Sequence, residues 1–212
     1  MMATASEPLP AKATPRAGVW MSLAALAALA FAAATLAKAG DGRDGIGLAL
    51  RVTARLGFLL FWPSYIAAAM ATLFGERWRA LTRHARVLGM SFAAVLTVHL
   101  TLVAWICWIG APPPLQTFVI FGIGAACAYV LLASSFDVVR RAMGPDAWRR
   151  VQSLGAGYIL FAFAFDFFRP QPLKPLAFLV GYLPFDLLVV AGVALRLAAW
   201  WKKRQKTSDA LG

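Results

Sequence analysis

Six apolar runs, separated by short basic or proline-rich breaks, organise this chain of 212 residues. Their spacing predicts helices at about 18–38, 47–74, 86–109, 116–137, 149–168 and 175–200. Each run is close to the roughly 20 residues that an α-helix needs to cross a bilayer. Proline punctuates the pattern. Pro112-Pro113-Pro114 forces a short extended turn, Pro170, Pro172 and Pro175 break the link between the last two runs, and Pro63 lies inside the second. Residues 1–16 are rich in proline and alanine and read as a disordered tail. Residues 17–201 read as one six-helix transmembrane domain, and residues 202–212 as a basic tail. The fold class expected is therefore all-α and membrane-integral, a bundle of six transmembrane helices. Ala37-Lys38-Ala39 resembles a signal-peptidase site, but the apolar run before it is long for a cleaved signal, so an uncleaved anchor is expected.

Composition agrees with the pattern. Apolar residues make up 61% of the chain, charged ones 14%, and mean hydropathy is +0.70. A soluble domain is about half apolar and a quarter charged. The net charge of +12 would suggest nucleic acid in a soluble protein. Here it sits in short loops, so it reads as topology: the bilayer is the expected partner, and nucleic acid is not. Arg77, Arg79, Arg83 and Arg86 lie between runs two and three, and Arg140, Arg141, Arg149 and Arg150 between four and five. Lys202, Lys203, Arg204 and Lys206 follow run six, whereas the turn after run three carries no charge. These place both termini in the cytoplasm. Cys107 and Cys127 fall inside apolar segments with no paired spacing, and read as buried hydrophobes. No phosphate loop, dinucleotide fingerprint, metalloprotease motif or nucleophile triad appears. No soluble stretch is long enough for a flavin or nucleotide module.

Three stretches carry a family resemblance. The first is Arg83-His84-Ala85-Arg86-Val87-Leu88-Gly89 with His99 beyond it. The second runs from Leu132-Ala133-Ser134-Ser135-Phe136-Asp137 through Arg140-Arg141 and Gly144 to Trp148-Arg149-Arg150. The third is Tyr182-Leu183-Pro184-Phe185 leading to Leu195-Arg196. Together they resemble the ferric-reductase-like transmembrane domain, a family that includes the haem-binding membrane subunit of a methionine-sulfoxide reductase system. The resemblance covers about residues 40–200. It implies a multi-pass protein of the bacterial inner membrane that moves electrons through b-type haem held between its third and fifth helices. It also implies a quinol or flavin electron donor and a periplasmic reductase or cytochrome as partners. In the family, helix 3 supplies a histidine where His99 stands, and helix 5 supplies two. Those two positions fall on Gln152 and on Phe165, with Asp166 beside it, and neither is histidine.

The candidate cofactor-binding residues are thus His99, Arg51, Arg55, His84 and Gln152, with His99 as the candidate haem-iron ligand. His99 lies about 20 Å into the third helix. It is either an axial ligand or a histidine bonded to a neighbouring helix through Thr97, Thr101 or Asp166. His84 sits among arginines at the cytoplasmic mouth, about 22 Å from His99, so the two cannot clamp one haem within a single chain. Met70 or Met90 could supply a second ligand. Arg51 and Arg55, one turn apart, either meet a propionate or quinone head group or snorkel to the interface, and a pair with Asp166 is plausible. Asp186 is expected near the midplane of helix 6, where a carboxylate either handles protons or cations or is a packed, hydrogen-bonded group. Asp137 is expected to pair with loop arginines. Small residues at Ser153 and Gly157, Gly122 and Ala126, and Gly181 mark expected close helix contacts. The phenylalanines between 161 and 168 either fill a vacated haem volume or face lipid. Two functions remain open: an electron-transfer subunit, divergent or haem-poor, and a non-catalytic homologue acting as a binding or assembly partner. A small transporter using Asp186 is a third reading.

Overall fold

The computed structural model describes residues 16–169 and 181–209. Those residues are helical nearly throughout and contain no strand. The helices are α1 (Arg16–Ala39), α2 (Arg43–Phe74), a 3₁₀ turn (Gly75–Trp78), α3 (Arg79–Trp108), α4 (Leu115–Ser134), α5 (Asp137–Phe167) and α6 (Leu183–Asp209). The turn joins α2 to α3 without a break, so the described residues form five helical segments. Four stretches are long and apolar enough to cross a membrane: Ala17–Ala39, Arg43–Trp108, Leu115–Ser134 and Leu183–Gln205. The second of these is 66 residues long and folds back on itself. Thr53 meets His99, Gly57 meets Phe92, and Ser64 meets Ala85. Sequence numbers that rise on α2 and fall on α3 define an antiparallel hairpin. Segment α5 is not among the four, because its first half carries Asp137, Arg140, Arg141, Asp146, Arg149 and Arg150.

Several element ends differ from the sequence pattern. Segment α3 starts at Arg79 rather than 86, so Arg79, Arg83 and Arg86 lie on a helix and not in a loop. The expected loop before α5 is also helical, with a break at Gly144. Gly144 has φ 74°, a left-handed conformation that side chains disfavour, and Pro145 restarts the helix in the first-turn position where proline is tolerated. Gly75, at φ 77°, ends α2 in the same way and donates its N–H to the Ala71 carbonyl. Segment α6 runs on to Asp209, so most of the expected basic tail is helix. Charge reads as loop in a hydropathy pattern, but arginine and lysine are good helix formers and extend a helix beyond the bilayer at little cost. Residues 1–15, 170–180 and 210–212, including the N-terminal tail, Pro170, Pro172, Pro175 and the expected start of helix 6, lie outside the described residues.

The core is aromatic and centred on α2. Phe58 is fully buried, with ring centroids 5.1 Å from Phe163 and Phe167 and 5.8 Å from Phe185. Phe61, Phe92 and Tyr182 complete the cluster. Edge-to-face contacts of this kind add to burial because a ring's positive edge meets a neighbour's negative face. The phenylalanines of α5 divide accordingly: Phe163 and Phe167 point inward, whereas Phe161 and Phe168 are exposed. Segment α1 packs on α2 and α3 through Ala28 and Ala32, while Trp20, Leu23, Leu26 and Phe31 face outward. Trp105, Trp108, Trp200 and Trp201 are exposed near helix ends, where an interfacial belt places them.

Close approach uses some of the expected glycines and others besides: Gly181 lies against the Arg55 guanidinium, 3.3 Å from a notional Cβ. Gly122 and Gly157 have open space beside them. Gly155 lies against Leu131, Gly124 against Ala162, and Gly192 against Trp62, with 3.1–3.4 Å between the nearest atom and a notional Cβ. Spacing alone does not say which face of a helix meets its neighbour. Phe58→Ala removes the ring around which α2, α5 and α6 meet. It should destabilise the protein by about 3 kcal/mol, and Phe58→Leu by less, in reversible unfolding from mixed micelles.

Candidate functional site

A cavity of about 330 Å³ lies between the α2–α3 pair and the α4–α5 pair. Its inner part is apolar, formed by Gly57, Phe92, Val95, Leu96, Ile159 and Phe163. Its other end carries Arg51, Thr53, His99, Thr117 and Asp166. These five come from the start of α2, the end of α3, the start of α4 and the end of α5, so they gather at one end of the bundle. Arg51, Phe118 and Gly122 on the rim are exposed, so the cavity opens sideways from the bundle.

His99 is held by α2. Its Nδ1 is 2.9 Å from Thr53 Oγ1, and Thr53 is fully buried. The threonine hydroxyl also lies 2.9 Å from the Ala49 carbonyl and 3.1 Å from that of Leu50. A hydroxyl has one proton, and here two carbonyls compete for it. The Nδ1–H of His99 therefore donates to Thr53 Oγ1, and Nε2 keeps its lone pair. The ring also lies within hydrogen-bond reach of the Leu50 backbone, and it lines the cavity. The expected partners of His99 are engaged elsewhere. Thr97 bonds to the Ala93 carbonyl and the Tyr129 hydroxyl, and Thr101 to the Val98 carbonyl. Thr53 was not among the candidates. Its signal in the sequence is a small polar residue between Arg51 and Arg55 on an otherwise apolar run.

Arg51 and Arg55 part company. Arg51 lines the cavity, while the Arg55 guanidinium lies over the rings of Tyr182, at 5.1 Å, and Phe185, at 5.6 Å. Asp166 lies within electrostatic range of Arg169, Arg55 and Arg51, yet no ion pair closes on it within 4.0 Å among the described residues. Thr117 is a further site residue that sequence reasoning missed. Its hydroxyl is buried in the cavity wall without a partner.

The other candidates lie elsewhere. His84 is exposed, and its Nδ1 bonds to the Ala80 carbonyl of its own helix. Gln152 donates to Ser134 Oγ at 2.9 Å, and Trp148 donates to the Ser134 carbonyl, so both tie α5 to the end of α4. Nothing joins His84 to Gln152. Met70 and Met90 are buried but do not line the cavity. Phe165 meets Phe121 edge-on and lies under Arg169. Asp186 is buried in the first turn of α6, with Oδ1 unpartnered among the described residues; the expected midplane depth assumed a helix starting at 175. Asp137 lies 3.4 Å from Arg140 and 3.9 Å from Arg86, partly exposed pairs that order the α4–α5 corner and add little stability.

The residues present do not fit a haem clamped between two histidines. Facing His99, α5 offers Ile159, Ala162, Phe163 and Asp166, and Phe163 belongs to the packed aromatic cluster. Among the described residues no three His, Cys, Asp or Glu side chains gather. No family model, curated protein or solved structure matches this chain.

The hydrogen bond between α2 and α3 has a clear signature. Thr53→Val removes the hydroxyl that bonds His99 and should cost about 1 kcal/mol, whereas adding His99→Leu should recover part of that loss. A double-mutant cycle by chemical unfolding in micelles measures the coupling; additive single losses would place no bond there.

Proposed function

We propose that this chain is a divergent, haem-poor inner-membrane protein of the ferric-reductase-like kind, working as a binding or assembly partner rather than carrying electrons on a haem of its own. The observation that supports this most is the α5 side of the cavity. Gln152 is committed to Ser134, Phe165 to Phe121, and Phe163 to the aromatic core. The positions where the resemblance calls for ligands are occupied by groups that hold helices together. In this reading α5 makes a fifth crossing of six, and the arginine-rich ends of α3, α5 and α6 lie in the cytoplasm with both termini. An electron-transfer assembly around it would draw its quinol or flavin donor, and its periplasmic reductase or cytochrome, from other chains.

A second reading rests on His99. Its ring opens on a cavity at the helix-3 position where the resemblance places a ligand. A haem bound there would supply a one-electron carrier. His99 would hold it from one side, Arg51 would offer its charge to a propionate, and the aromatic cluster would keep water from the inner face.

A reduced-minus-oxidised visible spectrum with haem quantitation, on protein from haem-replete cells, separates the two. The proposal expects far less than one b-type haem per chain and a spectrum unchanged by His99→Ala. About one haem per chain, lost in that variant, would overturn it in favour of electron transfer. The orientation is checked separately: a reporter that fluoresces only in the cytoplasm should be bright when fused after Gly212.

A further inference from the structure

We infer that the cavity beside His99 binds a neutral, hydroxyl-bearing lipid, with its head group at the polar end and its chain running inward and out through the side opening. This deepens the haem-poor reading above and rests on it, because a haem on His99 would fill the same space.

Four observations carry the inference. First, the Thr53 bond leaves His99 Nε2 as an acceptor on a ring that lines the cavity. Second, the Thr117 hydroxyl is buried in the wall without a partner. A buried hydroxyl without a partner is costly, so an occupant that pairs Thr117 gains accordingly. Third, Arg51 and Asp166 are the charged side chains lining the cavity, one of each sign. A charged head group would meet its like as well as its opposite, which favours a neutral head that donates through hydroxyls. Fourth, the inner lining is apolar and the rim is open at Phe118 and Gly122. An alkyl chain longer than the cavity can therefore continue into the bilayer, whereas a closed pocket would set a size limit. A volume of about 330 Å³ suits a glycerol-sized head and the first part of a chain.

The test uses the full-length protein in lipid nanodiscs with a photoactivatable monoacylglycerol as probe, its crosslinks mapped by peptide mass. Labelling is expected on cavity residues such as Leu96, Ile159 and Phe163. Unlabelled monoacylglycerol should compete, while its di-O-methyl ether, which keeps the acyl chain and the head-group oxygens but has no donors, should compete poorly. Thr117→Val and His99→Phe should each weaken labelling by about five-fold, the worth of one hydrogen bond. The ether comparison uses the unaltered protein, so it stands even if His99→Phe fails to fold. Equal competition by the ether would overturn the head-group recognition. Stronger competition by palmitate would overturn the neutral head in favour of an anion read by Arg51. Labels spread over the outer faces of α1 and α6 without competition would overturn the site itself. A visible spectrum of the same nanodiscs keeps the two readings apart: haem in the cavity defeats the haem-poor reading, whereas a haem-free protein that ignores the probe defeats the lipid inference alone.

Discussion

The antiparallel packing of α2 against α3 is the contact on which the other helices depend. It brings Gly57 against Phe92, and Phe58 inward to meet rings from α5 and α6. Segment α1 lies on the outside of this pair, and Trp62 of α2 donates to the Leu188 carbonyl of α6 at 2.6 Å. In lipid there is little hydrophobic gain in bringing apolar helices together, so shape and hydrogen bonding must do so. Here shape dominates: small residues admit large rings at one level after another. The hydrogen bonds between helices, such as Thr53 with His99 and Trp62 with the Leu188 carbonyl, are local additions to that packing.

That division explains the cavity. The aromatic cluster fills the centre of the bundle, while α4 packs chiefly on α5 through Gly155, Gly124 and the Tyr158 hydroxyl, which donates to the Ile120 carbonyl. Between the two pairs, beyond the reach of the rings, a space remains. Its polar end holds His99 and Thr53, which satisfy each other in part, and Thr117, which is satisfied by nothing among the described residues. Natural interiors pair their buried polar atoms. The unpaired Thr117 hydroxyl, beside the His99 ring on a cavity with an exposed rim, is therefore the feature with most to say about what the protein holds.

Much of the architecture was legible in the sequence, because runs of apolar residues of bilayer length have few alternative folds. The central parts of all the described helices lie within the expected runs. The ends were not legible. Arg79, Arg83 and Arg140 were taken for loops because charge ends a hydropathy run without ending a helix. The site was half legible: His99 stood out as a rare imidazole in an apolar helix, but its partner Thr53 lies 46 residues away and on another element. Register between helices is set by packing, and one sequence carries little trace of it. The same limit hid which glycines make close contacts, and that Arg51 and Arg55, one turn apart, serve different neighbours.

The four-residue 3₁₀ turn between α2 and α3 has an energetic consequence for how the two helices pair. Taken singly, α2 would carry Arg51, Arg55 and Thr53 into hydrocarbon, and α3 would carry His99. Folded back as a pair, α2 and α3 set His99 against Thr53, and Ser64 donates to the Ala85 carbonyl. A short connection of this kind keeps the two helices side by side, so the Thr53–His99 and Ser64–Ala85 bonds join residues that two helices on a long loop would have to bring together from afar.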